Sequence, residues 1–242
     1  MVAALLLLTR LPVGRRAAAP LREAVWAFPL VGAVLGGLGS LAFWAARALG
    51  LPPIVAAFWT LLALVLATGG LHEDGLADAA DAFGARVSPA RRLEIMRDSR
   101  IGSYGALALL FSIGMRAAAI AAIGRPGAVA AALVVTGAVA RAAMLGPLAW
   151  LPPARTEGLA ASLGAPSAPT LAVASGVAAV AAFALLPAGV AAGALALAAL
   201  VAAAVSAIAR RLVGGHTGDV LGVCEQAAEC AVLSLLAAAL AR

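Results

Sequence analysis

The sequence predicts an all-α protein, a polytopic integral membrane helix bundle of about seven transmembrane helices that forms a single membrane domain over residues 1–242. Three observations carry that expectation. Hydrophobic residues make up 64% of the chain and charged residues 12%, with a mean hydropathy of +1.06; soluble domains carry about 25% charged residues. Apolar runs recur at close to the ~20 residues that a bilayer core requires. The 17 basic residues, all arginine, fall mostly between those runs.

Residues 1–23 open on an apolar stretch too short to span, followed by Arg10, Pro12, Arg15, Arg16 and Arg22. A secretory signal would carry its positive charge ahead of the apolar run, and none stands there. The stretch reads as a short interfacial or re-entrant segment. Spans are expected over residues 24–46, 53–70, 104–123, 127–149, 169–186, 188–208 and 223–241. Gly32, Gly36, Gly37 and Gly39 give the first span a small-residue face for close helix packing. Pro187 divides the fifth from the sixth span as a tight hairpin, and the Pro-, Gly- and Ser-rich residues 151–168 form a long loop. Cys224 and Cys230 are six apart, roughly 120° around a helix, and read as small buried thiols rather than a disulfide or metal pair.

Arginine counts orient the bundle. One side collects 12: four at the N-terminus, five in the 71–103 loop, one in the 151–168 loop and two between the last spans. The other side holds three, Arg47, Arg125 and Arg242. The N-terminus and the 71–103 loop are therefore expected in the cytoplasm, with the protein in the cell (inner) membrane. The formal charge of +6 fits these loop positions and does not call for nucleic acid. A homo-oligomer stays open. Arg116 and Arg141 fall inside spans, each at a cost of a few kcal/mol unless paired or wet. Arg116 reads as snorkelling to the interface. Arg141 reads as a substrate-phosphate ligand or as a partner for an acidic side chain of the 71–103 loop.

Residues 68–105 hold six of the 11 carboxylates (Glu73, Asp74, Asp78, Asp81, Glu94 and Asp98) and five of the 17 arginines. In a helix, Asp74, Asp78 and Asp81 share roughly a 60° sector, with Glu73 beside it. Like charges so close destabilise a helix by a few tenths of a kcal/mol per pair. A hard divalent cation, Mg2+ or Mn2+, offsets that and takes its other ligands from water and substrate phosphates. A solvated acidic turn is the plainer alternative. His72 is more often a hydrogen-bond partner than a ligand in such company. Arg97-Asp98-Ser99-Arg100 then offers guanidinium forks suited to phosphate, with Asp98 to orient one of them and Gly102 and Gly105 to let backbone approach closely. Arg86, Arg91 and Arg92 read as cytoplasmic anchors.

Near the end, Gly214-Gly215-His216-Thr217-Gly218-Asp219 sets an acid–base group beside a carboxylate, ahead of Glu225 and Glu229 on one helical face. Asp219 also suits a helix cap.

HEDGLADAADAFG at 72–84 and RRLEIMRDSRIGSYG at 91–105 resemble the signature of the cobalamin-5′-phosphate synthase (adenosylcobinamide-GDP ribazoletransferase) family. LLTRLPV near the start, FPLVG at 28–32 and GGHTGDVLGVCEQAAEC near the end extend the likeness over nearly the whole chain. The family has a few more residues ahead of LTRLP, so the start reads as trimmed. The resemblance implies transfer of α-ribazole, or its 5′-phosphate, to adenosylcobinamide-GDP with release of GMP, late in cobalamin (vitamin B12) biosynthesis. Its 3′-hydroxyl side would attack the phosphate next to the cobinamide aminopropanol. Glu73, Asp74, Asp78 and Asp81 would hold Mg2+. Asp81, His216 and Asp219 are the catalytic candidates, with His216 or Asp219 to accept the hydroxyl proton. Arg10, Arg97, Asp98, Ser99, Arg100, Arg141, Thr217, Glu225 and Glu229 are the candidates for substrate binding, although for Arg10 simple anchoring serves about as well. The spaced carboxylates with an Asp-Gly pair also resemble the CDP-alcohol phosphotransferases, but the Ala-Arg that follows in that pattern is missing. An ion-coupled transporter is the reading from another class. Charge gathered on one side rather than at mid-depth speaks against it.

Overall fold

A computed structural model describes residues 1–12 and 21–241, so Arg15, Arg16 and Arg242, used above for orientation, lie outside the described residues. Among those described the protein is helical, without strands. After α1 (Val2–Leu8), α2 (Leu21–Ala24) runs through one 3-10 turn into α3 (Phe28–Ala48), which has Pro29 in its first turn, where a missing N–H costs nothing. Then come α4 (Pro53–Thr68), α5 (Leu71–Gly84), α6 (Pro89–Ile95), α7 (Ser103–Ile123), α8 (Pro126–Ala143), α9 (Leu145–Trp150), α10 (Leu159–Leu163), α11 (Ala168–Leu185), α12 (Ala188–Val213) and α13 (Gly218–Leu240). Six stretches are long and apolar enough to cross a membrane, with α4 joined to α5 as a seventh, bent by 92°.

The bend is a local consequence of sequence. Gly69 and Gly70 both sit at φ +69°, the left-handed region that glycine alone enters freely. They end α4 after 16 residues and turn α5 across the end of the bundle. The charged 71–103 stretch, expected as a loop, is thus largely helical: α5 and α6 with short connections. The expected span over 127–149 is interrupted at Met144 between α8 and α9. The last two helices extend beyond expectation, α12 to Val213 and α13 back to Gly218.

α3 and α8 cross in near backbone contact. A Cβ on Gly32 would stand 1.9 Å from the Gly137 carbonyl oxygen, and one on Gly36 2.4 Å from that of Leu133. Gly39 packs on Leu64, while Gly37 meets nothing within 4 Å and drops out of the predicted packing face. α11 and α12 lie at the edge of the bundle, with Val180, Phe183 and Leu200 exposed as lipid-facing side chains would be. Cys224 is a buried free thiol and Cys230 a partly buried one beside Ser112, as their spacing predicts.

Candidate active site

α5 reaches the bundle through glycine. A Cβ on Gly75 would lie 3.0 Å from the Asp219 Cα, and one on Gly222 3.0 Å from the His72 carbonyl oxygen, so α5 and α13 touch backbone to backbone. That contact brings the acidic face of α5 beside the start of α13. The carboxyl of Asp78 is pushed up to about 6, first by burial and then by the charges of Asp74, Asp219 and Asp81. Arg155, from the segment between α9 and α10, approaches Asp219 at 3.7 Å and donates to the Leu93 carbonyl at 2.8 Å. Burial is the main cause that lowers its pKa, and Arg97 adds to the lowering.

Two spaces meet here. An open groove of about 740 Å3 is lined by Arg10, Glu73, Asp74, Asp78 and Ser99 among others. A cavity of about 260 Å3 is lined by His72, Asp74, Arg155, His216 and Asp219 on its polar part. Asp74 borders both. Arg10 is fixed at the groove by its backbone N–H on the Ala67 carbonyl at 2.7 Å, and its side chain lies over Gly69, where a Cβ would meet Nε at 2.6 Å.

Several sequence-predicted residues have other employment. Asp81 shares the helical sector of Asp74 and Asp78, yet its two oxygens accept from the backbone N–H groups of Gly102 at 2.7 Å and Gly105 at 2.9 Å. It satisfies the orphan donors at the start of α7, so both oxygens of this expected catalytic and metal-ligand residue already have structural partners. Glu73 borders the groove beside the aspartates, but its Oε1 is engaged inward, by Arg116 at 3.1 Å and Gln226 at 3.2 Å. Thr217, expected on substrate, caps α13 by accepting from the Val220 N–H at 3.2 Å, so Asp219 does not cap the helix; its carboxylate accepts from the Thr217 hydroxyl at 3.1 Å. Asp98 grips Arg100 through both side-chain and backbone donors on the surface, which holds its carboxyl at about 2. Arg97 is exposed and Ser99 lines the groove.

Glu225 and Glu229, expected on substrate, are buried in the bundle. Arg141 meets Glu225 at 2.9 Å and Glu229 at 3.1 Å, and Arg116 meets Glu229 at 2.8 Å. His72 Nδ1 lies 3.3 Å from Glu225, and Gln226 joins Glu73 to Glu225. Arg116 is 2% exposed, so it does not snorkel; Arg141 pairs with α13 rather than with the 71–103 stretch. In an apolar interior each guanidinium needs carboxylates and each carboxylate a guanidinium. This lattice pins α5, α7, α8 and α13 together under the site.

His216 is buried in a turn whose backbone pairs with Pro153 (N–H to the Pro152 carbonyl, 2.9 Å; carbonyl to the Ala154 N–H, 2.9 Å). Burial lowers its pKa, which favours a neutral imidazole. Sequence reasoning counted Arg155 only for topology and overlooked Gln226. The Pro153–His216 bridge that carries Arg155 to the site joins segments far apart in sequence, and no local pattern announces it.

Among the described residues no three His, Cys, Asp or Glu side chains converge closely enough to hold a cation by themselves. The donor set nonetheless fits Mg2+, which typically takes one or two carboxylates and fills the rest of its octahedron with water and phosphate oxygens. The crowding that raises Asp78 is the electrostatic complement of such an ion.

A multi-pass helical membrane protein with a carboxylate- and arginine-lined groove at one end of its bundle is the class these features define. The pattern described as Cobalamin-5-phosphate synthase matches residues 1–237. A protein of Bradyrhizobium diazoefficiens named adenosylcobinamide-GDP ribazoletransferase is 42% identical over 233 residues, 95% of this chain and 90% of its own length. Similarly named proteins of Azorhizobium caulinodans (44% over 244 residues; 96% and 92%) and Mesorhizobium japonicum (42% over 242 residues; 98% and 92%) are alike throughout. No solved structure matches the chain. The chain belongs to the cobalamin-5-phosphate synthase family and is an enzyme.

Proposed function

We propose that the enzyme joins α-ribazole, or its 5′-phosphate, to adenosylcobinamide-GDP and releases GMP, at the cytoplasmic face of the cell membrane. The observation that carries this reading is the position of Asp74 on the common wall of the groove and the cavity, which lets two substrates meet at one carboxylate-lined point. In the transfer, a ribose hydroxyl oxygen bonds to the phosphorus next to the cobinamide aminopropanol. The bridging P–O bond breaks, GMP leaves with the electron pair, and the hydroxyl proton passes to a base.

Asp74 and Asp78 would hold Mg2+, which would supply neutralisation of diphosphate charge and favour departure of the leaving oxygen. Arg10 at the groove and Arg155 beside Asp219 are placed to take phosphate oxygens. Arg97 adds positive charge near Arg155. Arg100 would exchange its Asp98 partner for phosphate. His216, neutral in its buried turn, and Asp219 are the two candidates for the base.

The test is GMP release by the purified protein in a bilayer supplied with adenosylcobinamide-GDP and α-ribazole. Release that requires both substrates is expected. Uptake of either substrate into sealed vesicles without GMP formation would replace the transferase with a transporter.

A further inference from the structure

The two spaces at the site differ in size and lining, and that difference sorts the substrates. The cavity has a polar wall carrying His72 and Asp74 from α5, His216, Thr217 and Asp219 at the start of α13, and Arg155 and Glu157 from the segment between α9 and α10. Leu7, Leu8, Phe28, Met144 and Leu163, from α1, α3, the α8–α9 break and α10, make the apolar part. Its volume of about 260 Å3 suits a nucleoside and is small for a corrinoid macrocycle, whereas the groove offers about 740 Å3.

A second observation points to a ligand with hydroxyl groups. His72 and His216 are 4% and 3% exposed, and His72 Nε2 and His216 Nδ1 each lack a hydrogen-bond partner. His72 Nδ1 is engaged by Glu225 at 3.3 Å, which leaves Nε2 as the ring nitrogen without a partner. A buried polar nitrogen left without a partner costs about 1–3 kcal/mol, which a hydroxyl on a bound molecule, able to donate or to accept, removes. The apolar part offers Leu, Phe and Met side chains and so leaves polar groups on a base edge without partners.

Resting on the transferase reading, we infer that this cavity is the subsite of the nucleoside acceptor. Its ribose hydroxyls meet His72 and His216 near Asp74, and its base lies among Leu7, Leu8, Phe28 and Met144. The subsite selects a bicyclic base with few polar edge groups, such as a benzimidazole, over a purine with amino or keto groups, whose desolvated edges would go unpaired. The groove is left to the diphosphate and corrinoid.

Ala161, on the cavity wall, offers the test. Ala161→Phe should raise KM for α-ribazole about tenfold or more while KM for adenosylcobinamide-GDP changes less than about twofold. In the wild type, α-ribazole alone should raise the melting temperature and α-adenosine, which keeps the α-glycosidic linkage and changes only the base, should not at equal concentration. His72→Ala should reduce the α-ribazole shift, and Ala161→Phe should abolish it. A KM effect confined to adenosylcobinamide-GDP, or an α-adenosine shift equal to that of α-ribazole, would overturn the assignment. Should Ala161→Phe fail to fold, the wild-type comparison of the two nucleosides decides alone. Absence of GMP formation with α-ribazole binding intact would sink the transferase reading instead and leave the cavity assigned.

Discussion

Removing Arg116 tests whether the buried charges hold the site together. Its guanidinium reaches Glu229 at 2.8 Å and Glu73 at 3.1 Å, and the residue is 2% exposed. Arg116→Ala leaves Glu229 with Arg141 and Glu73 with Gln226 as remaining partners. Breaking a buried pair by deleting one partner costs about 3–5 kcal/mol, chiefly because a desolvated charge stays behind. At roughly 2–4 °C per kcal/mol for a chain of this size, the melting temperature of the purified protein should fall by about 6–20 °C. Arg116→Lys keeps the charge but cannot bridge both carboxylates with a planar fork, so the loss should be smaller, about 1.5–3 kcal/mol for one charged hydrogen bond. The charge-free triple replacement Arg116→Met, Glu73→Gln, Glu229→Gln leaves Arg141 paired with Glu225 and should recover much of the loss. An Arg116→Ala protein that melts within about 2 °C of the wild type would refute the claim that the network holds α5 against α7 and α13.

Other outcomes follow from the same geometry. Asp81→Ala should cost about 0.5–2 kcal/mol by uncapping α7 while leaving Mn2+ affinity unchanged; a loss of Mn2+ binding would return Asp81 to the metal site. Arg97→Lys and Arg100→Lys should lower activity, because an ammonium cannot reproduce the fork, while Arg91→Lys should be silent, its partner being the surface Glu94 at 2.6 Å. Equal activity in all three would reduce those arginines to anchors. Cysteine introduced at Ser88, the exposed cap of α6, should react with an impermeant reagent only once the inner membrane is opened. Labelling in intact cells would invert the topology.

Span number and order were legible because hydropathy and length act locally, and a bilayer imposes both. The Gly32 and Gly36 contact was legible for the same reason: small residues at helical spacing mark close packing. What the pattern did not show is where a side chain on a shared sector points once neighbours arrive. Asp74, Asp78 and Asp81 share one sector, yet Asp81 lies under the start of α7 and is claimed by two free N–H groups. Glu73, one step around the helix, faces Arg116. Arg116 itself was misread because snorkelling is the solution for a lone arginine, and its partners lie on α5 and α13, far along the chain. The gathering of ionisable groups was therefore readable, but which of them line the groove and which join the buried network was a tertiary fact.

Asp74 and Asp78 are proposed to bind a divalent ion that serves phosphoryl transfer. Mn2+ binding to the purified enzyme, followed by electron paramagnetic resonance beside GMP release, tests it most directly. Asp74→Asn and Asp78→Asn should weaken Mn2+ binding and GMP release together, EDTA should abolish turnover, and Mg2+ or Mn2+ should restore it. Full turnover in EDTA, or unchanged Mn2+ affinity in both variants, would contradict the claim and leave the acidic face of α5 without a metal.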